Sequence, residues 1–142
     1  MDEKIAAQPE LYAASVEGDA VPTLKGGRCR ACGYVFFPPQ HYGCEVCGAL
    51  PSELESVPLR GSGVLNSFAT VHHHAGKGIE TPFTIGLIVL NDGPAVRATL
   101  TARTDEGLRV GDQMRAVLVA AGASEDGKEI VELRFAKGAA SR

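Results

Sequence analysis

From residue 61 onward the apolar positions settle into a period of two, the mark of strands with one buried face. Val64 to His74 predicts a long strand with Leu65, Ala69 and Val71 on one face and Val64, Phe68 and Thr70 on the other. The preceding Gly61-Ser62-Gly63 predicts a bulge or a sharp bend. Phe83 to Leu90 is almost continuously apolar, as in a strand covered on both faces. Asn91-Asp92-Gly93 predicts a hairpin turn, and Ala95 to Thr101 the return strand. There Val96, Ala98 and Leu100 point inward and Arg97 and Thr99 outward. Residues 102–112 read as a connector. Gln113 to Ala120 and Glu129 to Ala136 follow, the last with Val131, Leu133 and Phe135 alternating with Glu132 and Arg134. Five strands, the first long and bent, predict an OB-type barrel.

Upstream the rhythm is different. Residues 1–8 are small and polar and predict a frayed end. Pro9 predicts the start of a short helix through Leu11, Tyr12 and Val16, closed by Gly18. Thr23 to Arg28 and Tyr34 to Phe37 predict two short strands, the second stopped by Pro38-Pro39. Phe36 and Phe37 are adjacent and so face opposite ways on a strand. One can pack inside this small unit; the other packs on the next domain, the plainer reading, or is exposed as part of an interface. Residues 52–60 read as a connecting strand or a linker. The expected fold is mainly β: an N-terminal helical segment over 1–22, a rubredoxin-like four-cysteine zinc ribbon over 23–51, and a five-stranded OB-fold barrel with a short tail over 52–142.

The ribbon rests on the cysteines. All four fall in two C-x-x-C pairs, Cys29/Cys32 and Cys44/Cys47, each followed by glycine, with eleven residues between the pairs. Two thiolates at this spacing lie on one turn, and two such turns complete a tetrahedral shell around a metal. Gly33 and Gly48 permit the positive φ that such turns take. Zinc is the expected metal; iron fits the same four thiolates. The site is expected to be structural, since four protein ligands leave no open position for water. Paired disulfides are the rival reading. The Met1-Asp2-Glu3-Lys4 start has no apolar signal-peptide core, so a reducing cytosol is the default, and that argues against them. A redox dithiol needs one pair and leaves the second unexplained. His41, three residues before Cys44, is expected outside the shell.

Composition narrows the function classes. The 142 residues carry 14 basic and 17 acidic side chains, a net charge of −3. That is not the basic footprint of a nucleic-acid binder. No apolar run is long enough to span a bilayer. The protein reads as soluble and cytoplasmic, with no membrane partner. No phosphate-binding P-loop motif and no G-x-S-x-G elbow occur.

The order of these parts resembles the DUF35-type zinc-ribbon OB-fold family. The resemblance is carried by Cys29-Arg30-Ala31-Cys32-Gly33-Tyr34-Val35-Phe36-Phe37-Pro38, by Gly61 to Val71, by Pro82 to Gly93 and by Val110 to Ala116. It covers residues 9 to about 136. The resemblance implies a non-catalytic accessory subunit of thiolase-fold enzymes that act on acyl-CoA thioesters, with the catalytic residues in the partner. The residues agree: with four cysteines committed to metal, none remains as a nucleophile. A coenzyme A thioester is then a possible ligand. Arg60, Lys77 and Arg97 are the candidate contacts for its phosphates, from their places beside glycine-rich loops or on an outward barrel face. His72-His73-His74 ends the first barrel strand; alternation lets at most two of them share an ion, and a polar strand end is the plainer reading. The alternative function is a single-stranded nucleic-acid-binding OB-fold protein. It needs a basic groove and stacking aromatics, and Phe68 and Phe135 instead fall in core patterns.

Overall fold

The computed structural model describes residues 4–12, 22–73 and 81–138. Among the described residues nine strands form two sheets: β1 (Lys4–Ala6), β2 (Thr23–Cys29), β3 (Val35–Phe36), β4 (Leu54–Arg60), β5 (Ser62–Val71), β6 (Phe83–Leu90), β7 (Ala95–Thr99), β8 (Gln113–Ala123) and β9 (Glu129–Lys137). One sheet has the order β1-β9-β8-β5-β6-β7 and the other β3-β2-β4.

The larger sheet closes on itself. Leu100, just past β7, forms a parallel bridge to Phe135 of β9, and the Thr101 N–H donates to the Phe135 carbonyl at 2.9 Å. The ring therefore runs β5-β6-β7-β9-β8 and back to β5, a nearly closed five-stranded barrel of OB type. The Asn91-Asp92-Gly93 turn is present, with Gly93 at φ 119°.

Three expectations are corrected. The first concerns β5. Its register against β6 shifts between Leu65 and Ser67, so Asn66 is an extra residue with no partner. Such a bulge resets the alternation. Leu65 is buried and Phe68 packs against the same core, while Ala69 is exposed. The faces assigned by strict alternation thus change partners halfway along the strand. Second, the two faces of β6 are covered unequally: Thr84, Gly86, Ile88 and Leu90 are buried, Phe83, Ile85 and Leu87 are half-buried, and Val89 is exposed.

The third correction is at the N-terminus. No α-helix occurs among the described residues. Leu11 N–H donates to the Gln8 carbonyl in a turn, and Tyr12 bridges Leu24 in antiparallel fashion. The rest of the expected helix, residues 13–18, lies outside the described residues. Lys4–Ala6 is not frayed but pairs in parallel with Glu129–Val131. A ten-residue helix is marginal alone, and free sheet edges offer this segment more hydrogen bonds.

The segment left open between strand and linker is strand β4, which pairs with β2 along its whole length, from Thr23–Arg60 to Cys29–Leu54. Leu24 of β2 and Leu59 of β4 belong to the same buried cluster as Leu65, Ile88, Met114 and Phe135 of the barrel. Phe36 is buried inside the small sheet, over Gly27, where any Cβ would collide with its ring. Phe37 turns the other way and packs against the shared core.

Candidate metal centre

Strand β2 ends at Cys29, and this places the first sulfur. The chain then turns back on itself: Gly33 N–H donates to the Cys29 carbonyl at 2.8 Å and Cys29 N–H to the Tyr34 carbonyl at 2.8 Å. The second turn repeats the pattern. Gly48 N–H donates to Cys44 O at 2.9 Å and Cys44 N–H to Ala49 O at 3.0 Å. Gly33 and Gly48 have φ of 84° and 77°, the left-handed region expected for them. Tyr34 ties the turns together, its hydroxyl donating to Glu45 Oε1 at 2.6 Å; this bond holds the phenol pKa above its usual value.

The four sulfurs lie within 4.8 Å of one another. Two pairs cross between the turns, Cys29–Cys47 at 3.7 Å and Cys32–Cys44 at 3.6 Å. A tetrahedron with Zn–S bonds of about 2.3 Å has edges of about 3.8 Å, so the arrangement fits a four-thiolate metal. It does not fit disulfides, whose sulfurs sit about 2.05 Å apart. His41 is exposed and outside the cluster.

The backbone favours thiolates unevenly. The Cys47 and Val46 N–H groups both point at Cys44 Sγ, at 3.4 Å each. Led by the Cys47 bond, and against desolvation, they bring the metal-free Cys44 thiol down to about 6. Cys47 goes the other way. An N–H from Ala49 lowers its pKa, but desolvation and the neighbouring thiols outweigh that and push it up to about 12.

A cleft of about 450 Å³ opens between the barrel, Phe37 and the N-terminal segment. It lies where β7 and β9 run side by side without pairing. The edge of β9 is taken by β1 at Glu129–Val131 and by Leu100 at Phe135, and Glu132–Arg134 between them face the cleft. Arg97, singled out from the sequence, lines it, and its side chain makes no hydrogen bond or ion pair among the described residues. Arg134 lines it too, where alternation along the last strand predicts only an outward-facing residue. A charged pair, Glu132 and Arg134, flanking a single apolar residue was the only available signal. Arg60 is elsewhere: its N–H donates to Asp92 Oδ2 at 2.8 Å at the β6–β7 turn, so the structure does not bring it to Arg97. Lys77 and His74 lie outside the described residues. His72 and His73 are exposed past the end of β5 and join no metal-ligating cluster among the described residues. No helix among the described residues is long and apolar enough to cross a membrane.

Comparison with known proteins agrees with this architecture. Residues 16–53 match the family model described as the ChsH2 rubredoxin-like zinc ribbon domain, and residues 56–119 the ChsH2 C-terminal OB-fold domain. The chain is 31% identical to the benzoylsuccinyl-CoA thiolase subunit BbsA of Thauera aromatica over 129 residues, 91% of this chain and 85% of the relative. It is 32% identical to a DUF35 domain-containing scaffold protein of Methanocaldococcus jannaschii over 96 residues, 66% of each chain. The solved Ltp2-ChsH2(DUF35) aldolase shares the fold with a TM-score of 0.65, at 22% identity over 81% of this chain and 84% of that one. A zinc-ribbon signature, an OB barrel and a relative matched over 91% of this chain coincide in one polypeptide, and the chain therefore belongs to the DUF35 family of zinc-ribbon OB-fold proteins.

Proposed function

We propose that this protein is a non-catalytic accessory subunit of a thiolase-fold enzyme acting on acyl-CoA thioesters. The observation that carries the reading is the 31% identity to a thiolase subunit across 91% of the chain, ribbon and barrel together. The chemistry of the site is consistent with it. Cys29, Cys32, Cys44 and Cys47 would hold one structural zinc, and a closed four-thiolate shell offers neither a bound water nor a free thiol nucleophile. The metal would supply rigidity and no chemical step. The partner would supply the nucleophile, and this chain would support assembly and help hold the thioester. Arg60, Lys77 and Arg97 are the candidate cations for coenzyme A phosphates.

The test is co-purification. A tagged copy expressed in its native cells should bring down a thiolase-fold protein in stoichiometric amount, and thioester turnover should require both chains. Full turnover by this polypeptide alone would overturn the reading.

A further inference from the structure

We propose that the cleft between β7 and β9 is a binding site for an amphipathic organic anion, with its head group on Arg97 and Arg134. Three observations converge there. The first is charge. The charged side chains lining the cleft are Arg97, Arg134 and Glu132, two guanidinium groups against one carboxylate. Glu132 Oε2 is occupied by Arg134, 3.1 Å away, while Arg97 has no partner among the described residues. One positive charge is therefore unmatched.

The second is an unmet donor. Arg134 Nε is buried and has no hydrogen-bond partner among the described residues. A buried N–H left unpaired is costly, and an acceptor oxygen entering the cleft relieves it. Guanidinium groups offer paired N–H donors that match the two oxygens of a carboxylate or of a phosphate edge. The third is the rest of the wall. Leu11, Phe37, Val96 and Leu133 are apolar, and a volume of about 450 Å³ lies within the range of small-molecule sites. An inorganic ion leaves that apolar wall wet; an acyl or aryl body covers it.

The site needs no partner subunit, so it stands or falls separately from the subunit role. The test is calorimetric titration of the metal-loaded full chain with octanoate, octyl phosphate, octanol and inorganic phosphate. Octanoate or octyl phosphate should bind at least tenfold more tightly than octanol and than inorganic phosphate. Arg97→Ala, at an exposed position, should weaken binding at least tenfold with an unchanged circular dichroism spectrum. Arg134→Lys keeps the charge but removes Nε and should weaken it as well; if that variant misfolds, Arg97→Ala decides. Competition by octanoyl-CoA would assign the anion to a coenzyme phosphate, and its absence to a free acid. Equal binding of octanol, equal binding of inorganic phosphate, no binding of any probe, or an unaffected Arg97→Ala variant would each overturn the proposal.

Discussion

The hydroxyl of Tyr12 donates a 3.0 Å hydrogen bond to the carbonyl of Val131, 119 residues further along, in a buried position. Tyr12 also bridges Leu24 of β2, so a single residue holds the N-terminal segment to both sheets. The same Val131 carbonyl accepts the Ala7 N–H at 2.9 Å. Tyr12→Phe therefore leaves the carbonyl satisfied and removes one bond. The expected loss is about 0.5–1.5 kcal/mol, a drop in Tm of roughly 2–5 °C for a chain of this size. Tyr12→Ala removes a buried ring as well and should cost about 3–5 kcal/mol. Denaturant unfolding of the two variants separates the terms, and equal losses would mean that the ring contributes nothing.

The barrel makes a second prediction, about backbone crowding. A Cβ at Gly63 would lie 2.8 Å from Leu90 Cα and closer still to the Val89 carbonyl oxygen, both of them backbone atoms of the paired strand. A Cβ at Gly86 would meet side-chain carbons of Leu65 and Leu100 at 3.0 Å. Leucine side chains can give way and a paired strand cannot. Gly63→Ala should thus be destabilising by about 1–3 kcal/mol or more, and Gly86→Ala by less. A ranking reversed in urea melts would show that the strands separate more easily than the core repacks.

Thr84 supports the closing segment of the barrel. Its hydroxyl donates to the Arg103 carbonyl at 3.1 Å and accepts from Thr70 at 2.9 Å, and the residue is fully buried. Thr84→Val keeps the shape and removes both bonds. The expected cost is about 1–3 kcal/mol. Hydrogen exchange should quicken first at Leu100, whose N–H donates to the Thr84 carbonyl; unaltered protection there would contradict the supporting role.

Much of this architecture could be read from the chain, and the failures have physical causes. The four thiols and their glycines specify a local turn geometry that needs no tertiary context, so Cys29, Cys32, Cys44 and Cys47 came together as expected. The barrel strands announced themselves by alternation. The bulge at Asn66 did not, because no special residue type marks it and its effect is a shift of phase. The N-terminal segment was misread because its structure is set by the edges of β9 and β2, distant in sequence. Arg134 was not singled out for the same reason: its place in the cleft depends on strands β1 and β7 meeting β9 at different heights.

Titration of the metal-free chain gives a fourth prediction. Cys44 at about 6 lies below the ordinary thiol value of 9.0. Its contribution to folding is therefore complete above about pH 9 and lost as pH falls through about 6. Cys47, at about 12, acts in the opposite sense: its contribution is complete below about pH 9 and lost as pH rises through about 12. Thiolate absorbance of the metal-free protein should show one step near pH 6, which Cys44→Ser removes. Four thiols titrating together near the ordinary value would show that the Cys47 and Val46 N–H groups no longer point at the sulfur without metal.

The metal should matter to more than the ribbon. Leu24 and Leu59, on the two longer strands of the small sheet, are buried in one cluster with Leu65, Ile88, Leu90 and Phe135 of the barrel. β2 leads directly from that cluster to Cys29, so loosening the first turn frees the strand that carries Leu24. Two units with separate cores would melt separately; units that share one core unfold together. Chelation, or Cys29→Ser, is therefore expected to lower a single thermal transition of the whole chain rather than to remove one of two. Structural zinc in small peptides contributes an apparent binding energy of about 10–16 kcal/mol at neutral pH, far above the few kcal/mol of any substitution considered above. Scanning calorimetry with tyrosine near-ultraviolet dichroism as a second probe decides the matter. A barrel transition at unchanged temperature after metal removal would mean that Leu24 and Leu59 hold their places without the sulfur-bound ion.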